Sequence, residues 1–216
     1  MRIVEEMEAQ AGPQEQYFIQ LLTERVIMSD TIPTSTIEQI ISGRRTIYAF
    51  KPSPVPPTDI ILQGIEVARW APNHRLTEPW HFYLLGPETI HSVIQLNTDI
   101  GTKKHGAEEA LKKQERWSAM PGWLVLTTDR SSDPVRVQED YAACCCAAQN
   151  LMLFLWELGV GVKWTTGNII REPGFYDLLW IDPEAESVVG IFWYGYPEVI
   201  PVTERKPLQQ IIIELP

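Results

Sequence analysis

The sequence predicts an α+β or three-layer α/β/α protein. Helix-spaced and strand-like apolar segments are mixed along the chain, and no internal repeat or low-complexity tract interrupts them. One long segment, Tyr141 to Leu158, is apolar all round, which marks a central helix buried on most faces. A sheet packed against such a helix is the arrangement that satisfies both patterns.

Residues 1 to about 33 read as an extension with an acidic opening, followed by helix-like spacing over Gln14 to Met28; residues 34–216 form the main domain. Ser35 is expected to cap a short helix carrying Ile37, Ile40 and Ile41, with Glu38 completing a capping box. Pro52, Pro54, Pro56 and Pro57 make an extended connector. Thr58 then caps a helix with Ile61, Leu62, Ile65 and Ala68 at a 3.6-residue period. His81–Leu85 reads as a strand, ended by Gly86-Pro87 opening another helix. Gly101 to Met120 is charged and poorly patterned, so an exposed, mobile helix or lid is expected there. Strands follow at Trp123–Thr127, Val162–Thr165 and Ser187–Tyr194, with a fifth edge strand expected over Gln210–Glu214.

Composition narrows the functional classes. The chain has 216 residues, 44% hydrophobic and 21% charged, ordinary for a soluble globular protein. Its net charge of −10 argues against binding nucleic acid or anionic membrane through a general basic surface. The opening residues lack the apolar core of a signal peptide. Cys144, Cys145 and Cys146 are contiguous, so their side chains diverge on a helix and cannot chelate one metal. They read as small core fillers in a reducing compartment, which places the protein in the cytoplasm.

Four constellations carry chemistry. Ser42-Gly43-Arg44-Arg45-Thr46-Ile47-Tyr48 combines two guanidinium forks with a hydroxyl, a set suited to a phosphate, although an arginine pair alone is usually solvated surface. Ala71-Pro72-Asn73-His74-Arg75-Leu76-Thr77-Glu78-Pro79-Trp80 is a polar loop pinned by two prolines, and read blandly it is a rigid connector. Gly159-Val160-Gly161-Val162-Lys163-Trp164-Thr165-Thr166-Gly167 is a glycine turn leading into a strand. Tyr194-Gly195-Tyr196-Pro197 precedes Arg205-Lys206-Pro207-Leu208, whose basic pair is by itself ordinary surface.

Together, in this order over roughly residues 35 to 210, these segments resemble the FMN-dependent nitroreductase family, in its compact, minimal branch. The resemblance implies a nitroreductase-like three-layer α/β/α sandwich with a central, mostly antiparallel sheet. It implies a homodimer holding FMN at the interface, with Glu139 to Leu151 resembling the family's central dimer helix. Arg44, Arg45, Thr46, Tyr48 and Arg205 would meet the cofactor from one subunit, and Pro72, Asn73, His74 and Glu78 from the other. The backbone at Trp164, Thr165, Thr166 and Gly167 would run beside the flavin ring, where glycine permits close approach. Activity would be ping-pong: NADH or NADPH reduces the flavin, and an electron-poor small molecule such as a nitroaromatic, a quinone or an unsaturated metabolite reoxidises it. No side chain is implied as an essential nucleophile.

Two departures stand out. Tyr48 occupies a position where the family often carries Arg or Lys, and Glu78 replaces the usual Gln before Pro-Trp. Glu78 either sets a negative charge near the ring or points outward or pairs with Arg75. These departures keep open a non-catalytic flavin-binding sensor or carrier, and a structural dimer without flavin.

Overall fold

The computed structural model describes residues 36–215. The helix expected over Gln14 to Met28 and the cap at Ser35 lie outside the described residues. From Ile40 onward the chain forms one compact unit, Ile40–Pro216.

The first described helix, α1, spans Ile37–Gly43. Its capping box is made one residue later than expected: the Thr36 backbone N–H donates to Gln39 Oε1 at 2.8 Å, and the Gln39 N–H to Thr36 Oγ1 at 3.3 Å. Helix α2 spans Thr58–Ala68, and Thr58 is its first helical residue rather than its cap. The cap position is Pro57, which makes no side-chain hydrogen bond. Strand β1 (Trp80–Leu84) leads into α3 (Pro87–His105), which Pro87 opens at a position where its missing N–H costs nothing.

Of the exposed helix or lid expected over Gly101 to Met120, the structure shows the helix: the end of α3 and a second, mostly exposed helix, α4 (Ala107–Ser118). Gly101, Ala110 and Trp117 are buried along it. Few apolar residues mark its buried side, and the largest of them is Trp117.

Strand β2 (Gly122–Asp129), helix α5 (Pro134–Glu157), strand β3 (Gly161–Thr165), helix α6 (Pro173–Leu179) and strand β4 (Glu186–Gly195) complete the domain. The sheet order is β1-β2-β4-β3, with every strand pair antiparallel. The fifth strand expected over Gln210–Glu214 does not form. A short 3-10 turn at Leu208–Gln210 and an exposed tail stand there, so local β-propensity without a partner strand made no ladder.

Two cores sandwich this sheet. Along β2, Leu124 and Leu126 face the layer containing α2 and α5, while Trp123 and Val125 face the layer containing α3, α4 and α6. Each such side chain, fully buried, contributes about 1.5–3 kcal/mol of transfer free energy. This is the three-layer arrangement. Helix α5 is less uniformly buried than its composition suggests. Its buried positions, Asp140, Ala143, Cys144, Ala147, Ala148, Leu151, Met152 and Leu155, form a stripe at helical spacing, and Tyr141 and Cys146 are exposed opposite.

Candidate functional site

The residues after α1 are drawn onto the free edge of β3. The Ile47 N–H donates to the Val162 carbonyl at 3.2 Å, and Thr46 bridges Val162 in parallel. A few residues on, the chain pairs antiparallel with the segment after β4: Lys51 N–H to Tyr196 O at 2.9 Å, and Glu198 N–H to Ala49 O at 3.0 Å. Gly161 permits this closeness, since a Cβ there would meet Ile47 Cγ1 at 2.4 Å. The ladder places the arginines after α1 beside the tail that carries Arg205.

The consequence is electrostatic. Arg44 is pulled below its ordinary pKa, first by burial and then by repulsion from Arg205 and Arg45. Its Nε is buried with no hydrogen-bond partner among the described residues. No carboxylate lies within ion-pair distance of the three arginines among the described residues. A buried unpaired donor flanked by like charges is costly unless an anion completes it. A phosphate fits this donor set. Arg45 contributes mostly charge, because its guanidinium donates to the carbonyls of Ser42 at 2.6 Å and Arg44 at 2.9 Å, closing the end of α1.

Beyond Thr46 the edge becomes aromatic. Tyr48 is exposed, and Lys163 Nζ stands 4.8 Å above its ring. Trp164 does not face this edge. Its indole stacks on Phe192 at 5.1 Å and donates to the Val189 carbonyl at 3.3 Å, on the opposite face of the sheet. Of the Trp164–Gly167 segment, Thr166 and Gly167 are exposed, and a Cβ at Gly167 would meet nothing within 4 Å. A flat ring can approach that backbone.

The Pro72–Glu78 loop lies apart from this cluster. It feeds β1, the opposite edge strand from β3, with β4 and β2 between them. Three inter-strand spacings amount to roughly 14 Å. The loop is shaped internally by Asn73, whose Nδ2 donates to Ala71 O at 3.2 Å and whose Oδ1 accepts the Glu78 N–H at 3.0 Å. Arg75, Leu76 and Glu78 hold left-handed backbone with φ of 57°, 52° and 44°. His74 and Glu78 are exposed, and Glu78 makes no ion pair with Arg75 among the described residues. Thr77 and Asp140 tie the loop to α5, a role that sequence reasoning missed because neither residue sits in a recognisable motif. Lys163 was missed as well, although its place two residues before Thr165 in a strand set it on the same face as that residue.

Among the described residues, no helix is long and apolar enough to cross a membrane.

Comparison with known proteins agrees with this architecture. A crystal structure of a nitroreductase-like family protein from Bacillus cereus superposes with a TM-score of 0.74 at 26% identity, covering 86% of this chain and 98% of that one. A protein from Desulfovibrio desulfuricans described as a nitroreductase was solved in complex with FMN; it has a TM-score of 0.67 at 20% identity, covering 85% of this chain and 99% of that one. In sequence, the chain is 32% identical over 187 residues to YfhC of Bacillus subtilis (strain 168), which its provisional name makes an NAD(P)H nitroreductase. That match covers 84% of this chain and 95% of YfhC. The sequence profile of the nitroreductase family matches residues 41–196, from the end of α1 to the end of the sheet, so the chain belongs to the nitroreductase family.

Proposed function

We propose that the protein is an FMN-dependent oxidoreductase that uses NADH or NADPH to reduce an electron-poor small molecule, such as a nitroaromatic, a quinone or an unsaturated metabolite. The observation that carries this reading is Arg44, whose Nε is buried and unpartnered, whose charge is repelled by Arg205, and which has no carboxylate within ion-pair distance among the described residues. When bound, FMN supplies the hydride chemistry at its N5. The chain supplies position and charge. Arg44 and Arg205 grip the phosphate as charge-assisted donors, Arg45 adds field, and the Thr46 hydroxyl adds a neutral contact. The exposed backbone at Thr166 and Gly167 gives the ring an unobstructed wall, with an N–H available to a ring nitrogen. Trp164 acts beneath that wall, holding it from the other side.

The same reading includes a homodimer. Pro72, Asn73, His74 and Glu78 reach a flavin at the β3 edge from a second subunit, because in their own chain they border the opposite edge of the sheet. Exposed apolar side chains support that assembly: Trp70 and Leu76 beside the loop, Tyr141 on α5, and Val202, Ile213 and Leu215 in the tail. Apolar area of this extent is ordinarily covered by a partner.

Absorbance of the purified protein, before and after NADH or NADPH, tests the proposal. A flavin band near ~450 nm that bleaches with the donor and returns with an acceptor is expected. A bound flavin that never bleaches would instead make the protein a carrier or sensor. Light scattering should report a dimer, and a monomer that retains FMN would exclude the cross-subunit loop.

A further inference from the structure

Lys163 leaves β3 on the face opposite Trp164 and ends between two aromatic rings. Its Nζ is 4.8 Å from the Tyr48 ring centroid and 5.0 Å from that of Trp193. Trp193 belongs to a cluster of three mutually edge-on indoles, 5.2 Å from Trp117 and 5.3 Å from Trp123. On the far side of the cluster, Lys113 Nζ stands 5.1 Å over Trp117 and donates to Asn97 Oδ1 at 2.9 Å. Arg116, next to Trp117 on α4, is exposed. Lys113 and Lys163 both fall below their ordinary pKa, through burial first and then through the charge of Arg116.

Two cations thus stand over one indole cluster, and the charge of the exposed Arg116 reaches both. Among the described residues, none of Lys113, Arg116 and Lys163 has a carboxylate within ion-pair distance. Yet the chain carries 28 acidic against 18 basic residues. Aromatic faces steady an ammonium group but accept no full hydrogen bond, so an ammonium's three N–H donors still seek oxygen. The indole N–H of Trp193 is a further buried donor without an acceptor among the described residues. This cluster adjoins the proposed cofactor edge: Val162, next to Lys163, pairs with Thr46, and Tyr48 lies two residues beyond.

We propose that Lys163 and Arg116 form an anion subsite for a reactant, accepting a carboxylate or phosphate attached to a planar group that lies along Tyr48. The role in turnover rests on the flavin reading above; the binding site itself does not. Two reactants could bring the oxyanion: an acceptor with a carboxylate on its ring, or the donor NADPH with its 2′-phosphate.

Calorimetric binding, which needs no turnover, separates these. One arm titrates the purified protein with 4-nitrobenzoate and with neutral 4-nitrobenzamide; the other uses NADP⁺ and NAD⁺. The charged member of at least one pair should bind about tenfold more tightly, as a charge-assisted contact requires. That preference should collapse in Lys163→Met, which keeps the packed stem, or in Arg116→Gln, which alters only an exposed side chain, and Lys163→Arg should restore it. A preference in the first pair identifies a carboxylate acceptor, and one in the second identifies the 2′-phosphate. Equal affinities within both pairs, or a preference that survives both variants, would overturn the subsite. A protein lacking the ~450 nm band but keeping the preference would overturn only the flavin reading.

Discussion

Thr77 Oγ1 donates a 2.7 Å hydrogen bond to Oδ1 of the buried Asp140, whose Oδ2 accepts Arg136 Nε at 3.1 Å. One carboxylate therefore fastens the loop before β1 to the second turn of α5. The fastening explains how three residues of that loop stay in left-handed backbone, which costs each of them about 1–3 kcal/mol and persists only where neighbours over-determine it. Thr77→Val preserves shape but removes the donor and leaves an oxygen of Asp140 unpaired. A loss of about 1–3 kcal/mol is expected, seen as a lower urea midpoint with an unchanged slope. An unshifted midpoint would contradict this role.

Arg44→Ala should release FMN. Losing a charge-assisted fork worth about 1.5–3 kcal/mol weakens binding by roughly 10- to 150-fold. Arg205→Ala should act in the same direction but less strongly, because Arg205 is exposed and water competes for its partner. Arg45→Ala should cost less affinity than Arg44→Ala, since Arg45 already donates to backbone carbonyls. Flavin fluorescence released on dialysis ranks the three variants. Undiminished flavin in both Arg44→Ala and Arg205→Ala would remove the phosphate from this edge.

How legible this site was depended on whether a role belonged to local chain or to distant side chains. Four strands and the long helix were readable because burial imposes apolar runs, and the three layers follow from them. The edge strand at Gln210–Glu214 was misread because β-propensity cannot show whether a partner exists. Gly101 to Met120 was readable as an exposed helix or lid but no further, because few residues besides Trp117 and Ala110 mark its buried side. The meeting of Arg44 with Arg205 was expected only through family resemblance; in the fold it results from the Ala49–Lys51 pairing with Tyr196–Glu198. Lys163 between Tyr48 and Trp193 had no sequence signal beyond strand alternation.

Glu78 offers a test of electrostatic tuning. It is exposed, and its N–H is held by Asn73 Oδ1. An ionised carboxylate beside a flavin opposes the negative charge gained on reduction. Glu78→Gln changes little in size and should raise the midpoint potential, by an amount that shrinks as salt is added. A potential that stays the same or falls in redox titration would place Glu78 away from the ring.

A buried thiol and a half-buried phenol set the alkaline limit of the fold. Burial pushes the Cys144 thiol up to about 12, and burial together with Glu186 does the same to Tyr83. In the unfolded chain these groups release protons from about 8.5 and about 10. Between those values and about 12 the unfolded chain binds fewer protons than the folded one, so stability falls as pH rises. The urea midpoint should drop between about pH 8 and about pH 11, and Cys144→Ala should reduce that drop. Cys144 should also resist thiol reagents until the protein unfolds, because only the thiolate attacks.

Trp164 bears on how long a ligand stays bound. Its indole lies against Gly190, where a Cβ would come within 2.1 Å of Nε1, and it bonds Val189, the extra residue where the β2–β4 register shifts. The backbone running on to Gly167 is therefore pinned before anything binds. A cofactor meeting a surface already in place orders little of the protein, so little of its affinity is lost to chain entropy. Under the proposed phosphate site, its departure would require breaking polar contacts at the arginines rather than waiting for the strand to open. On the proposed reading, residence time at this edge would be set by Arg44 and Arg205, while Trp164 would keep local breathing of β3 from offering a faster way out.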